Sequence, residues 1–365
     1  MDFEFNEDQT AIRDLAAGVF DDYCADDQLQ RFWQGDAPFD AALWQQLRDT
    51  GRAALTLAET DGGSGLGLVE LMLVLEQQGR SLAPVPLWRH QLATAALSAF
   101  AAPAAKTQLA TLAAGEQLAT RALDGLADSR GLRLRAEPAN GGWQLHGRAV
   151  AVAWAEQATL ALLPAQTADG VRVFAVATAA PGLSRLPGML THREPAADLV
   201  FDGVALPADA ALETAALAWL EPRAVACLGA LQLGVSAEAL KRAVAYTSER
   251  RQFGRPLASF QALSQKVADC YIDVEALRST LWQLCWRLDA GLDTALATPV
   301  VKSWACDCAH RVSHAAQHMH GGIGVDTSYP IHRFTLWSRA LELSLGGVGA
   351  QLETLGAQLA AGAEI

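Results

Sequence analysis

The stretch LRLRAEPANGGWQLHG, residues 132–147, alternates apolar and polar side chains on both sides of a Pro-Ala-Asn-Gly-Gly run. Alternation with a period of two is the pattern of a half-buried strand, and Asn and Gly tolerate the left-handed backbone that a tight hairpin requires. A β-hairpin is predicted here. Three further runs continue the period: TLALLPA (159–165), VRVFAVA (171–177) and DLVFDGVALP (198–207). Residues 120–211 therefore read as a small antiparallel β-domain.

On either side the period is helical. Toward the N-terminus, Asn6 is a plausible N-cap with Glu7 and Asp8 in the first turn, and LVELMLVLEQQGR (68–80) carries apolar residues at helical spacing. DGGSGLG (61–67) lacks the preceding strand and spacing of a phosphate-binding turn and reads as a loop between helices. Beyond Leu212, long helical segments are predicted over roughly 222–251, 260–290, 295–319 and 336–362, enough for a four-helix bundle. The first is rich in small residues, among them Gly229 and Gly234, so a neighbouring backbone can approach it closely. Segregated helices, strands and helices imply an α+β multidomain chain. The expected parts are an N-terminal α-helical domain (1–119), a middle antiparallel β-domain (120–211) and a C-terminal four-helix bundle (212–365).

The net charge of −12, without a cluster of Lys or Arg, argues against a nucleic-acid surface. The N-terminus MDFEFNEDQTAIRD is acidic where a signal peptide is basic, and no run of 18 uninterrupted apolar residues occurs, so a cytoplasmic protein without a membrane span is expected. The six cysteines read as reduced thiols rather than a disulfide framework.

Three stretches sharpen the reading: YTSERRQFGRPL (246–257), FQALSQKVAD (260–269) and HGGIGVDTSYPIHR (320–333). With GGSGLGLVELMLVLEQQGRSLAP (62–84), LVFDGVALPADAAL (199–212) and the α–β–α order, the chain resembles the acyl-CoA dehydrogenase family along essentially its whole length. These flavoproteins introduce an α,β double bond into an acyl-CoA thioester. The resemblance implies FAD as cofactor, an acyl-CoA substrate and electron-transfer flavoprotein as electron acceptor. It places Arg250, Phe253 and Gln261 against FAD, with Gly321 and Gly322 letting the backbone approach its adenosine half and His318 standing where a glutamine is usual. In the family these groups reach the FAD of a neighbouring subunit. A guanidinium at Arg250 suits a pyrophosphate by fork geometry and permanent charge.

The resemblance also exposes losses. The reaction needs a carboxylate to take the substrate α-proton, and counting from Gly321 its usual position is Leu345, followed by Gly346. An alternative base position, on the first helix of the bundle, falls at Ala224. Glu221, one turn earlier, is the remaining candidate, although before Pro222 it also suits the charged start of a helix. Glu342, one turn before Leu345, reads as a structural charge. The segments TRALDGLADS (120–129) and GRAVAVAWAE (147–156) replace the Thr-Glu-Pro turn and the Trp-Ile-Ser/Thr strand that hold the flavin ring, with Ala151 at the tryptophan and Trp154 predicted on the opposite strand face.

Groups for the chain's own flavin are gone while groups for a neighbour's remain. The resemblance is therefore to the base-deficient subunit of α2β2 enzymes that act on steroid side-chain CoA esters, in which a second acyl-CoA dehydrogenase-like subunit supplies the base. A self-sufficient homo-oligomer using Glu221, and a flavin-free homologue with a binding or scaffolding role, are the alternatives. Cys306, His310, His314 and His318 recur every four residues, but one straight helix cannot surround a metal tetrahedrally, so no metal is expected.

Overall fold

The computed structural model describes residues 4–128 and 130–363. Six helices come first: α1 (Glu7–Tyr23), α2 (Asp26–Gln34), α3 (Ala41–Asp49), α4 (Leu68–Ser81), α5 (Leu87–Phe100) and α6 (Leu109–Ala113). Seven strands follow: β1 (Ala119–Arg121), β2 (Leu134–Ala139), β3 (Gly142–Ala153), β4 (Leu160–Thr167), β5 (Gly170–Ala177), β6 (Leu183–Met189) and β7 (Pro195–Leu206). The rest is α7 (Ala216–Glu249), a short hairpin of β8 (Arg251–Gln252) and β9 (Arg255–Pro256), then α8 (Gln261–Asp289), α9 (Ala297–His320), α10 (Ile331–Leu343) and α11 (Val348–Ala360). The chain packs as two compact units, each drawn from more than one stretch of sequence: 1–35 with 68–83 and 225–365, and 36–67 with 84–224.

In the second unit the seven strands form one sheet in the order β1-β4-β2-β3-β7-β6, with β5 on β4. The opening stretch forms the hairpin β2–β3, closed by Asn140 and Gly141 at φ 50° and 77°, the left-handed pair of a two-residue turn. The sheet departs from the expectation of a wholly antiparallel one, because β1 and β2 both run parallel to β4. Periodicity also missed β1 and β6: three residues are too few to show a period, and β6 is exposed on both faces along most of its length. Leu145, Leu163, Phe174 and Leu199 anchor the core of the sheet.

In the first unit, Asn6 caps α1 as predicted, accepting from Gln9 N–H at 2.8 Å. The small-residue stripe of α7 meets α4, where a Cβ on Gly234 would lie 1.9 Å from the carbonyl oxygen of Glu76 and one on Gly79 would lie 2.1 Å from that of Leu231. Only glycine permits that approach. The Asp289 carboxylate at the end of α8 accepts from the free N–H groups of Leu68 and Val69, at 2.8 and 3.1 Å, and so caps α4 from a distance in sequence.

Two expectations are corrected. The segment 336–362 is not one helix, because α10 stops at Leu343 and α11 starts at Val348, with Leu345 and Gly346 between them at φ 59° and 90°. Nor is Glu221 at a helix start: α7 begins at Ala216 and carries Pro222 inside it. Helix α7 is long and apolar enough to cross a membrane, but most of that apolar span is buried inside the protein, as in a core helix.

Candidate functional site

All six expected FAD-contact residues fall in the first unit, at the ends of its long helices or, for Phe253, in the hairpin between two of them. Arg250 follows the last residue of α7 and bonds through its backbone N–H to the Tyr246 carbonyl at 2.9 Å. In the turn between β8 and β9, Phe253 and Gly254 have φ 52° and 77°, so a phenylalanine holds a conformation normally left to Gly, Asn or Asp. The Phe253 side chain is 90% exposed. Gln261, also exposed, is the first residue of α8. His318 is exposed in the last turn of α9, which Gly321 ends at φ 64°, ψ −140°, a combination that glycine adopts most readily.

Two contacts bring these ends together. The rings of Tyr246 on α7 and His320 on α9 stack at 4.6 Å, so Arg250 and Gly321 leave from neighbouring helix ends. Lys266 on α8 and His318 on α9 line one groove of about 720 Å³ along those two helices. A Cβ at Gly321 or Gly322 would meet nothing within 4 Å, whereas one at Gly324 would strike the Gln317 carbonyl oxygen at 2.7 Å. Packing explains Gly324, whereas the glycine pair faces open space.

At the expected base position, Leu345 offers no proton acceptor on its side chain, and its carbonyl takes the Gln351 amide at 3.0 Å. Glu342 is engaged as an ion pair, 2.6 Å from Arg339, with His310 3.7 Å away. The fully buried Lys302 donates to the carbonyls of Leu341 and Glu342 at 3.2 and 2.9 Å, closing the end of α10 just before the turn. Ala224 is fully buried. Glu221 keeps contact with solvent, yet the surrounding protein desolvates its carboxyl enough to raise the pKa above the ordinary value.

The second unit shows what became of the segments that depart from the family pattern. Both segments reach one cavity of about 250 Å³, whose walls include Ala122, Asp124, Ala149 and Ala151, with Arg133 and Arg148. A bulge between Ala149 and Val152 breaks the register of β3 against β7. Ala151 is exposed at φ 51°, while Trp154 is buried and donates through Nε1 to Glu194 Oε1 at 2.6 Å. The Trp154 indole is thus a core group and does not stand in on the face of Ala151. Glu194 also pairs with Arg89 at 2.9 Å, the whole group being buried. Burial alone would raise the Glu194 pKa, but the Arg89 guanidinium and His192 reverse this and hold it below the usual carboxylate range.

Of the helical His/Cys series, His310 stacks on His314 at 4.4 Å and Cys306 receives Lys302 Nζ at 3.2 Å. No cluster of three or more His, Cys, Asp or Glu side chains able to hold a metal occurs among the described residues.

Family models agree with this architecture. Residues 6–116 match the acyl-CoA dehydrogenase N-terminal domain and residues 223–360 the acyl-CoA dehydrogenase C-terminal domain. The chain belongs to the acyl-CoA dehydrogenase family. It is 34% identical to acyl-CoA dehydrogenase FadE27 of Mycobacterium tuberculosis, with 99% of each chain covered. Among solved structures it resembles a variant of the Tcur3481–Tcur3483 steroid acyl-CoA dehydrogenase at TM-score 0.92 and 38% identity, with 98% of each chain covered. It also resembles a chain of the ChsE4–ChsE5 complex from Mycobacterium tuberculosis at TM-score 0.94 and 33% identity over the full length of both. The family turn, helix ends and glycine pair were legible from motifs. The Tyr246–His320–Tyr329 cluster was not assigned, since Tyr246 and His320, 74 positions apart, share no local pattern.

Proposed function

We propose that this chain is a subunit of an FAD-dependent acyl-CoA dehydrogenase that lacks its own catalytic base and completes the FAD site of a partner chain. The observation that carries the reading is the contrast between Leu345, in a sharp turn where the base is expected, and the exposed set of Arg250, Phe253, Gln261, Gly321 and Gly322, with His318 in place of the usual glutamine. The substrate class that fits best is a steroid side-chain CoA ester, supported by the similarity to a steroid acyl-CoA dehydrogenase and to a two-component complex. Electron-transfer flavoprotein is the expected acceptor.

When bound, FAD supplies the acceptor for the substrate β-hydride, while a carboxylate removes the α-proton. This chain's part is to bind and orient. Arg250 would offer a permanently charged guanidinium to the pyrophosphate, Gly321 and Gly322 would leave room at the adenosine half, and Phe253 would give an aromatic face that assembly covers. The α-proton goes to a carboxylate of the partner chain.

The test is to purify the chain alone and after co-expression with an adjacent dehydrogenase-like reading frame, recording flavin absorbance and the flavin-to-chain ratio. Little flavin alone and half as many FAD molecules as chains in the pair are expected. Stoichiometric flavin on the isolated chain would overturn the reading, and none under any pairing would favour a flavin-free homologue. A second reading, a homo-oligomer with Glu221 as base, draws support from its raised pKa, the direction a general base needs. In that case Glu221→Gln would abolish turnover of the purified homo-oligomer; the partner-base reading expects turnover of the paired enzyme to stay near the wild-type level.

A further inference from the structure

A cavity of about 390 Å³ opens where α7 and α9 end, lined by Asp26, Arg242, Tyr246, Glu249, His320 and Tyr329, with Ala245, Pro330 and Ile331 completing its wall. His320 is 3% exposed, and its Nδ1 lies 2.7 Å from the Ala316 carbonyl of its own helix, so Nδ1 carries the hydrogen. Burial lowers its pKa and keeps the ring neutral. The remaining nitrogen, Nε2, is then a bare lone pair, and it has no hydrogen-bond partner among the described residues. A buried polar atom left this way calls for an occupant.

The surroundings restrict what that occupant is. The Arg242 charge is already engaged, at 2.7 and 2.9 Å by Asp26 and at 2.9 Å by Glu238. What the cavity still offers is two acceptors, His320 Nε2 and the Glu249 carboxylate, beside the Tyr329 ring, whose centroid lies 5.4 Å from that of His320; the Tyr246 ring stacks on His320 at 4.6 Å. An anion would meet a lone pair and a carboxylate; a hydrogen-bond-donating cation meets an acceptor and an opposite charge beside the Tyr329 ring.

We infer that this cavity binds an organic ammonium group, which donates to His320 Nε2, pairs with Glu249 and lays its alkyl part against Ala245, Pro330 and Ile331. The group belongs either to a free small amine or to a lysine side chain of another subunit. The cavity's Glu249 and His320 directly precede Arg250 and Gly321, but the inference uses neither of those residues and does not depend on flavin being bound.

The experiment titrates n-butylammonium into the full chain with isotope-labelled histidine and follows the His320 Nε2 resonance by NMR, with n-butanol as the uncharged control. A saturable shift is expected, and both Glu249→Gln and His320→Phe weaken binding by roughly tenfold or more. Glu249 is exposed, so its variant keeps the test valid even if His320→Phe fails to fold. A shift that does not saturate, that n-butanol reproduces, or that survives Glu249→Gln unchanged overturns the inference and leaves water as the occupant. Repeating the titration on the assembled enzyme separates the two sources: affinity retained there indicates a free amine, and affinity lost indicates a side chain already in place.

Discussion

Leu345 and His90 show how far a single residue carries an argument. At Leu345 an alkyl side chain cannot take a proton whatever the packing around it. His90, by contrast, is set by its surroundings: fully buried on α5, it accepts the Ala119 N–H at Nδ1 (3.1 Å) and places Nε2 3.0 Å from the Leu112 carbonyl. That fixes a neutral tautomer, and burial pushes its pKa down to about 4. The unfolded chain takes up this proton near pH 6.5 and the folded chain does not, so the stabilisation is complete above pH 6.5 and is lost as pH falls toward 4. Between pH 7 and 5 the wild type should lose about 2 kcal/mol of stability through this group. Urea unfolding of His90→Gln at both pH values checks this, because the variant should show a correspondingly shallower dependence.

At the scale of elements, the crossing of α4 and α7 rests on absent side chains. Gly234→Ala would drive a Cβ into the Glu76 carbonyl, an atom of the backbone that cannot swing aside. A loss of about 1–3 kcal/mol is expected, read as a lower denaturation midpoint. Gly356 on α11 is the counterpart, since a Cβ there meets nothing within 4 Å and the backbone is helical. Gly356→Ala should stabilise by about 0.5–1 kcal/mol in the same measurement. Both glycines lie in segments of helical periodicity, and only the neighbour across the gap tells them apart. The break between α10 and α11 has a similar origin. The apolar spacing continues through residues 343–348, but a turn at positive φ intervenes and Lys302, from another helix, closes the preceding end.

For the molecule as a whole, the distribution of exposed apolar groups bears on assembly. Phe253, Tyr271, Ile272 and Leu352 stand in solvent on the first unit, and α11 has no buried residue at all. Such groups suit burial against another chain. Phe253→Ser should leave unfolding of the isolated chain within about 0.5 kcal/mol of wild type yet weaken association, as measured by sedimentation of the assembled enzyme. The sequence by itself determined the order of helices and strands, the cap at Asn6, the hairpin at Asn140 and Gly141, and the absence of a carboxylate from position 345. Each depends on neighbours within a few positions or on the identity of one side chain. Tertiary structure alone decided that β1 and β2 run parallel to β4, that Trp154 turns into the core toward Glu194, and that α7 begins before Pro222. It also decided that His320 meets Tyr246 beside a cavity. Those outcomes depend on groups tens of residues apart, whose mutual burial and hydrogen bonding leave no local period to read.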